Sequence, residues 1–142
     1  MTAMQHISVW LDVPLRGAFT YLHPQPLPSG QRVRVAFGNR ELCGVVDNSV
    51  PPQALDEARC KPILAVLDEL PPLPEALLQQ VRFAARYYLH PQGQALFTAL
   101  PTALREPRAV TLADRQSYRL NVAGLAAMPS ARSTVKLQLW QA

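Results

Sequence analysis

The chain has 142 residues, 49% of them apolar and 17% charged, which is the balance of one ordinary globular domain, or of a domain plus part of another, and not of a disordered protein. Its formal net charge of +4 is unevenly placed: residues 1–104 hold eight basic and eight acidic side chains, whereas 105–142 hold six against two. A neutral body argues against a general polyanion-binding surface, so nucleic acid, if bound there, must meet a local site.

Fourteen prolines against six glycines predict short strands and frequent breaks. Cys43 and Cys60 form no CxxC pair; their spacing allows a disulfide, but free thiols in a reducing cytosol are the expectation. No apolar run approaches the roughly 20 residues of a membrane span, and the N-terminus lacks a basic region followed by an apolar one. A cytoplasmic location follows as an expectation.

In chain order, Gln5 to Leu11 alternates, with Ile7, Val9 and Leu11 facing inward and His6, Ser8 and Trp10 opposite. Pro14 ends this strand. Ala18 to Leu22 is a second strand, with Phe19 and Tyr21 on one side and Thr20 on the other. The prolines at 24, 26 and 28 make a loop. Gly30 to Val46 then reads as a hairpin folded at Gly38-Asn39, two residue types that tolerate positive φ. The fold sets Phe37 opposite Arg40, Ala36 opposite Glu41 and Val35 opposite Leu42. Val33, Val35 and Phe37 share one face; Arg32, Arg34 and Ala36 take the other, where arginine is most often simply solvated.

A polar connection with Pro51-Pro52 leads to a fifth strand, Lys61 to Leu67, which Pro62 confines to an edge or a start position. With few helices between the strands, a small antiparallel sheet or partial barrel is expected. After Pro71-Pro72-Leu73-Pro74 the period changes. Leu77, Val81, Ala84 and Tyr88, widened by Leu78 and Ala85, predict an amphipathic helix over 75–89, with Gln79, Arg82 and Arg86 outward. Tyr87 and Tyr88 read as packing residues. His90-Pro91 stops the helix, and Gln94 to Leu100 forms a second, closed by Pro101. Tyr118 to Val122 reads as a strand and Asn121 to Ser130 as a turn. Val135 to Trp140 begins an apolar segment that suggests a piece of a longer protein.

The familiar signatures of catalysis are missing: there is no GxxxxGK, GxGxxG, HExxH or GxSxG, and neither histidines nor cysteines have metal-ligand spacing. His6 and His90 read as hydrogen-bonded structural residues. No enzyme activity is expected of this chain by itself.

Taken together the motifs are more specific than any one alone. A Phe-x-Tyr strand precedes GQRVRVAFGNR and CGVV; KPILAVLDELPPLPE and RFAARYYLHPQGQALFTALPTALR follow. Over residues 5 to 108 this order resembles the N-terminal region of the primosomal replication-restart helicases. The resemblance implies an α+β module in which a small sheet or partial barrel and two helices capture the free 3′ end of a nascent strand at a stalled fork, independently of sequence. It implies a 3′-end-binding domain over 1–105 (β-rich 1–67, helical 74–101), then a linker and the first turn of a winged helix within 106–142, from about Leu137. Carried onto this chain, the pocket uses Phe19, Thr20, Gly38 and Lys61. Many members carry an acidic residue where Thr20 stands; a main-chain contact there would survive the change. Arg34 and Arg40 are secondary candidates for backbone contacts. ATP, magnesium and zinc are expected only in the helicase portion, with no cofactor here. The implied partners are single-stranded 3′ ends and branched fork DNA, with other primosome proteins and single-stranded DNA-binding protein reached through the full-length protein in the bacterial nucleoid. The competing reading is a protein-docking module within a replication assembly, whose hairpin edge accepts a partner strand.

Overall fold

A computed structural model describes residues 3–53, 55–119, 121–127 and 129, with isolated positions at 134, 136 and 138. The apolar segment over 135–140 and the winged-helix turn expected from Leu137 therefore lie, but for single positions, outside the described residues. The chain divides into two compact units, 1–111 and 112–142.

In the first unit five strands, β1 (Gln5–Leu11), β2 (Phe19–His23), β3 (Arg32–Phe37), β4 (Arg40–Val46) and β5 (Lys61–Leu67), close into a barrel in the order β1-β2-β5-β3-β4. Three helices follow: α1 (Glu75–Tyr87), α2 (Gln92–Ala99) and the short α3 (Thr102–Arg105). The α+β class is the one read from the sequence, but the barrel is closed and its sheet is mixed. β2 and β5 run parallel, Tyr21 beside Lys61 and Leu22 beside Pro62. A parallel pair needs a crossover, and here the β3–β4 hairpin with the 47–60 connection provides it, so no helix is required. Pro62 occupies the second position of β5, near the strand start as its missing N–H demands.

The hairpin register is the expected one, with Phe37 opposite Arg40, Ala36 opposite Glu41 and Val35 opposite Leu42. Its turn differs in one respect: Gly38 alone has positive φ, at 59°, while Asn39 does not. That is the II′ pattern, with glycine at the first central position, and not the I′ pattern that the Gly-Asn pair allowed.

Alternation was read as buried against wet, yet both faces of β1 are covered. Ile7, Val9 and Leu11 join Val33, Val35, Val46 and Ile63 in the barrel interior. Trp10, Cys43 and Val45 point outward into a second core against Leu78, Val81, Leu96 and Phe97 of the helices. α2 comes so close to β1 that a Cβ on Gly93 would stand 1.9 Å from the Leu11 carbonyl oxygen.

This helical layer overturns two readings of the arginines. Arg32, expected on a solvated face, is 4% exposed. Its guanidinium meets Glu69 at 2.8 Å and donates to the carbonyls of Leu104, Glu106 and Arg108, which fastens α3 and the chain after it to the barrel. Arg82, expected to point outward, forks onto Asp47 through Nε at 3.1 Å and Nη2 at 2.8 Å, and reaches Glu75 at 2.7 Å. Trp10 Nε1 donates to the same buried Asp47 carboxylate at 3.0 Å. Burial opposes the charge of Asp47, but hydrogen bonds from Arg82, Ser49 and Trp10 outweigh it and lower its pKa to about 2.

Tyr87 and Tyr88 also depart from expectation. They are 70% and 74% exposed, and with Phe83 they form an outward aromatic cluster beyond the helix's buried stripe. Helix α1 ends at Tyr87 with a left-handed Leu89, φ 52°, and a bond from the His90 N–H to the Ala85 carbonyl, the pattern of a Schellman cap.

In the second unit, Tyr118 and Arg119 are irregular, and Val122 opens helix α4 (Val122–Ala126), so the strand expected over 118–122 is absent at its described positions. Asn121 caps α4 by accepting from the Gly124 N–H at 2.8 Å. Cys43 and Cys60 are free, and burial pushes the Cys43 thiol up. His6 is hydrogen-bonded through Nε2 to the Leu55 carbonyl at 3.0 Å.

Candidate nucleic-acid interface

At one end of the barrel lies a cavity of about 440 Å³, within the roughly 300–1,000 Å³ of small-ligand sites. Phe19, Thr20, Gly38 and Lys61 all line it, brought from β2, the hairpin tip and the start of β5. The barrel closure explains the convergence: the parallel pairing puts Lys61 beside Tyr21, two residues from Phe19. The hairpin tip is fixed separately, because the Tyr21 hydroxyl donates to the Ala36 carbonyl at 3.0 Å, across the intervening β5. Burial pushes the Tyr21 phenol up to about 12, so it remains a neutral donor.

Phe19 is partly buried. Its ring packs on the barrel core and stands edge-on to Phe37, centroids 5.2 Å apart, while it also borders the cavity. It therefore serves as core and wall together. Gly38 forms an open rim, since a Cβ there would meet nothing within 4 Å. The Thr20 hydroxyl accepts from the Gln53 N–H at 3.0 Å, which ties the 50s connection to the rim and leaves its own proton free to donate.

Arg34 and Arg40 are not among the residues lining this cavity. Arg34 faces Glu41 at 3.6 Å, and its buried Nε has no hydrogen-bond partner. Arg40 borders a smaller neighbouring cavity with Phe37.

Sequence reasoning missed Arg16, Arg59, Gln53 and Phe37, which also line the cavity at the barrel end. Arg16 sits in an irregular segment and Arg59 ends a single 3-10 turn, Glu57–Arg59, both too short for a periodicity to assign a direction. Among the described residues Arg32, Arg34, Arg82 and Arg108 have carboxylate partners, whereas Arg16, Arg59 and Lys61 have none. The cavity thus gathers unpaired cations beside an aromatic surface, and no aspartate or glutamate lines it. Such a lining suits a phosphate next to a stacked ring.

Comparison with known proteins identifies the family. The family model described as the 3′ DNA-binding domain of PriA matches residues 8–101. The chain is 33% identical over 123 residues to the replication restart protein PriA of Haemophilus influenzae, covering 85% of this chain and 17% of that protein. It is 30% identical over 101 residues to the replication restart protein PriA of Buchnera aphidicola, covering 69% of this chain and 14% of that protein. The chain thus spans less than a fifth of the length of these curated relatives. The closed barrel, the helices packed on it and the matched region together establish that the chain belongs to the family of PriA 3′ DNA-binding domains.

Proposed function

We propose that the chain captures the free 3′ end of a DNA strand, the nascent leading strand at a stalled fork, and so orients a replication-restart helicase of which it is the N-terminal part. The observation that supports this reading is the meeting of Phe19, Thr20, Gly38 and Lys61 around one cavity in a chain of this family. Phe19 offers its ring to the terminal base, a contact worth roughly 1–3 kcal/mol by substitution. Gly38 lets the main chain approach the terminal sugar, and Lys61 takes the terminal phosphate. No base edge need be read, because recognition of an end must work on any sequence. A continuing strand would collide with the rim, so an internal nucleotide is excluded. The likeness to PriA makes replication restart the process served. The motor, with its ATP, magnesium and zinc, belongs to the longer protein, as do contacts with other primosome proteins and single-stranded DNA-binding protein. The setting is the bacterial cytoplasm, at the nucleoid; the named relatives are bacterial, and among the described residues no helix is long and apolar enough to cross a membrane.

Fluorescence anisotropy tests the proposal. An oligonucleotide with a 3′ hydroxyl should bind more tightly than the same strand with a 3′ phosphate, and Lys61→Ala should weaken binding about fivefold or more, a charge-assisted contact. Equal affinity for the two ends rejects end capture.

A second reading, a protein-docking module, draws on the exposed cluster of Phe83, Tyr87 and Tyr88. It gains ground if alanine at Phe19 and Lys61 leaves DNA affinity unchanged.

A further inference from the structure

A second cavity of about 440 Å³ adjoins the first, and the two share Arg16 and Gly17 in their walls. The second lies between the strand-connecting loop at Arg16 and the C-terminal end of α1, with Trp10, Arg82, Arg86 and His90 in its lining. Arg16 spans the two sides, its Nη2 donating to the Leu89 carbonyl at 3.4 Å.

The charges here follow the same division as in the first cavity. Arg82 is neutralised by Asp47 and Glu75. Arg16 and Arg86 have no carboxylate partner among the described residues, and no aspartate or glutamate lines this cavity either. In a body with as many acidic as basic side chains, five cations have no carboxylate partner among the described residues, and four of them (Arg16, Arg59, Lys61 and Arg86, but not Arg40) line two connected hollows.

We propose that the second cavity is a backbone subsite: the strand whose 3′ terminus occupies the first cavity passes over Arg16 and Gly17, and its preceding phosphates meet Arg16 and Arg86. This rests on reading the first cavity as an end pocket and adds to it a direction and a length of bound strand. The contact is with phosphates, so it too is independent of sequence.

The test is competition anisotropy on the 142-residue chain, with oligothymidylates of about two and about eight nucleotides carrying free 3′ hydroxyls. The longer strand should bind about fivefold or more tighter, and its salt dependence should be steeper by about 0.7 for each added phosphate contact. Arg86→Glu should abolish most of that length advantage and leave the dinucleotide's affinity in place, while Arg86→Lys should keep it. Arg86 is exposed, so an unchanged thermal melt is the control for folding. An Arg86→Glu protein that retains the full length advantage, or a native chain that shows none, overturns the subsite. A dinucleotide bound equally with a 3′ phosphate and a 3′ hydroxyl overturns the end pocket instead, so the two failures are distinct.

Discussion

Gly38 joins conformation and access in one residue. Its φ of 59° lies where a side chain is strained, yet a Cβ would touch nothing. Substitution therefore costs through the backbone, about 1–2 kcal/mol for an L-residue in the left-handed region, and not through a clash. Gly38→Ala should lower stability by about that amount, read from urea unfolding. It should weaken 3′-end binding by more than the stability loss explains, because the methyl narrows the rim that a sugar would approach. A variant that loses stability but binds DNA as before would make Gly38 a turn residue only. The neighbouring Tyr21 works through hydrogen bonding: its hydroxyl holds the hairpin tip to β2, and burial, which raises its pKa to about 12, extends the range of that donor further into alkali.

Among the elements, the contact of α2 with β1 is the tightest constraint. Glycine inside a helix ordinarily costs roughly 0.5–1 kcal/mol relative to alanine, so Gly93→Ala would gain stability if the site were open. Here the added Cβ would fall 1.9 Å from the Leu11 carbonyl. Overpacking typically costs about 1–3 kcal/mol and backbone cannot yield as a side chain does, so the substitution should destabilise the fold by about 2 kcal/mol or more, measured by thermal or urea unfolding. A stabilised variant would refute that contact. The same layer explains what the sequence could and could not reveal. The hairpin register, β1, β5 and both helices followed from alternation, breakers and a four-three-four stripe, signals local to each segment. The parallel β2–β5 pairing is non-local, and no segment carries it. Arg32 is buried because the outer face of the barrel is covered, which period-2 alternation cannot distinguish from water; Arg82, outside the helix's buried stripe, reaches across to Asp47, a non-local contact that no helical period reveals. Tyr88 leaves the stripe because it is the helix C-cap, and Tyr87, the last helical residue, shares an outward face with Phe83 four positions before it. Of the site, Phe19, Thr20, Gly38 and Lys61 were named through a family resemblance. Their grouping around one cavity required the closed barrel.

At the scale of the whole first unit, barrel and helices are joined through one buried carboxylate. Asp47, 1% exposed, takes Trp10 from β1 and Nε and Nη2 of Arg82 from α1. Its pKa falls from 3.8 to about 2 on folding. A carboxylate whose folded pKa is depressed adds stability that is fully present above its unfolded pKa. That stability is lost as the pH falls from near 4 through about 2. At about 1.4 kcal/mol per unit, the contribution is of the order of 2 kcal/mol. Glu69, lowered through hydrogen bonds that include Arg32 although burial opposes them, acts in the same direction at the other junction. Urea unfolding at neutral pH and near pH 2.5 should therefore show an acid-side loss of stability that Asp47→Asn largely removes. At neutral pH, Asp47→Asn should itself cost about 2 kcal/mol or more, because the partly buried Arg82 then keeps only Glu75 as a carboxylate partner. None of the unpaired cations of the two cavities takes part in this junction. The acid transition should thus reduce 3′-end binding at the first cavity, which Trp10, Ser49 and Arg82 do not line, only as far as the protein unfolds. Loss of end binding ahead of unfolding would mean that the junction shapes the first cavity as well as the second, whose walls include Trp10 and Arg82.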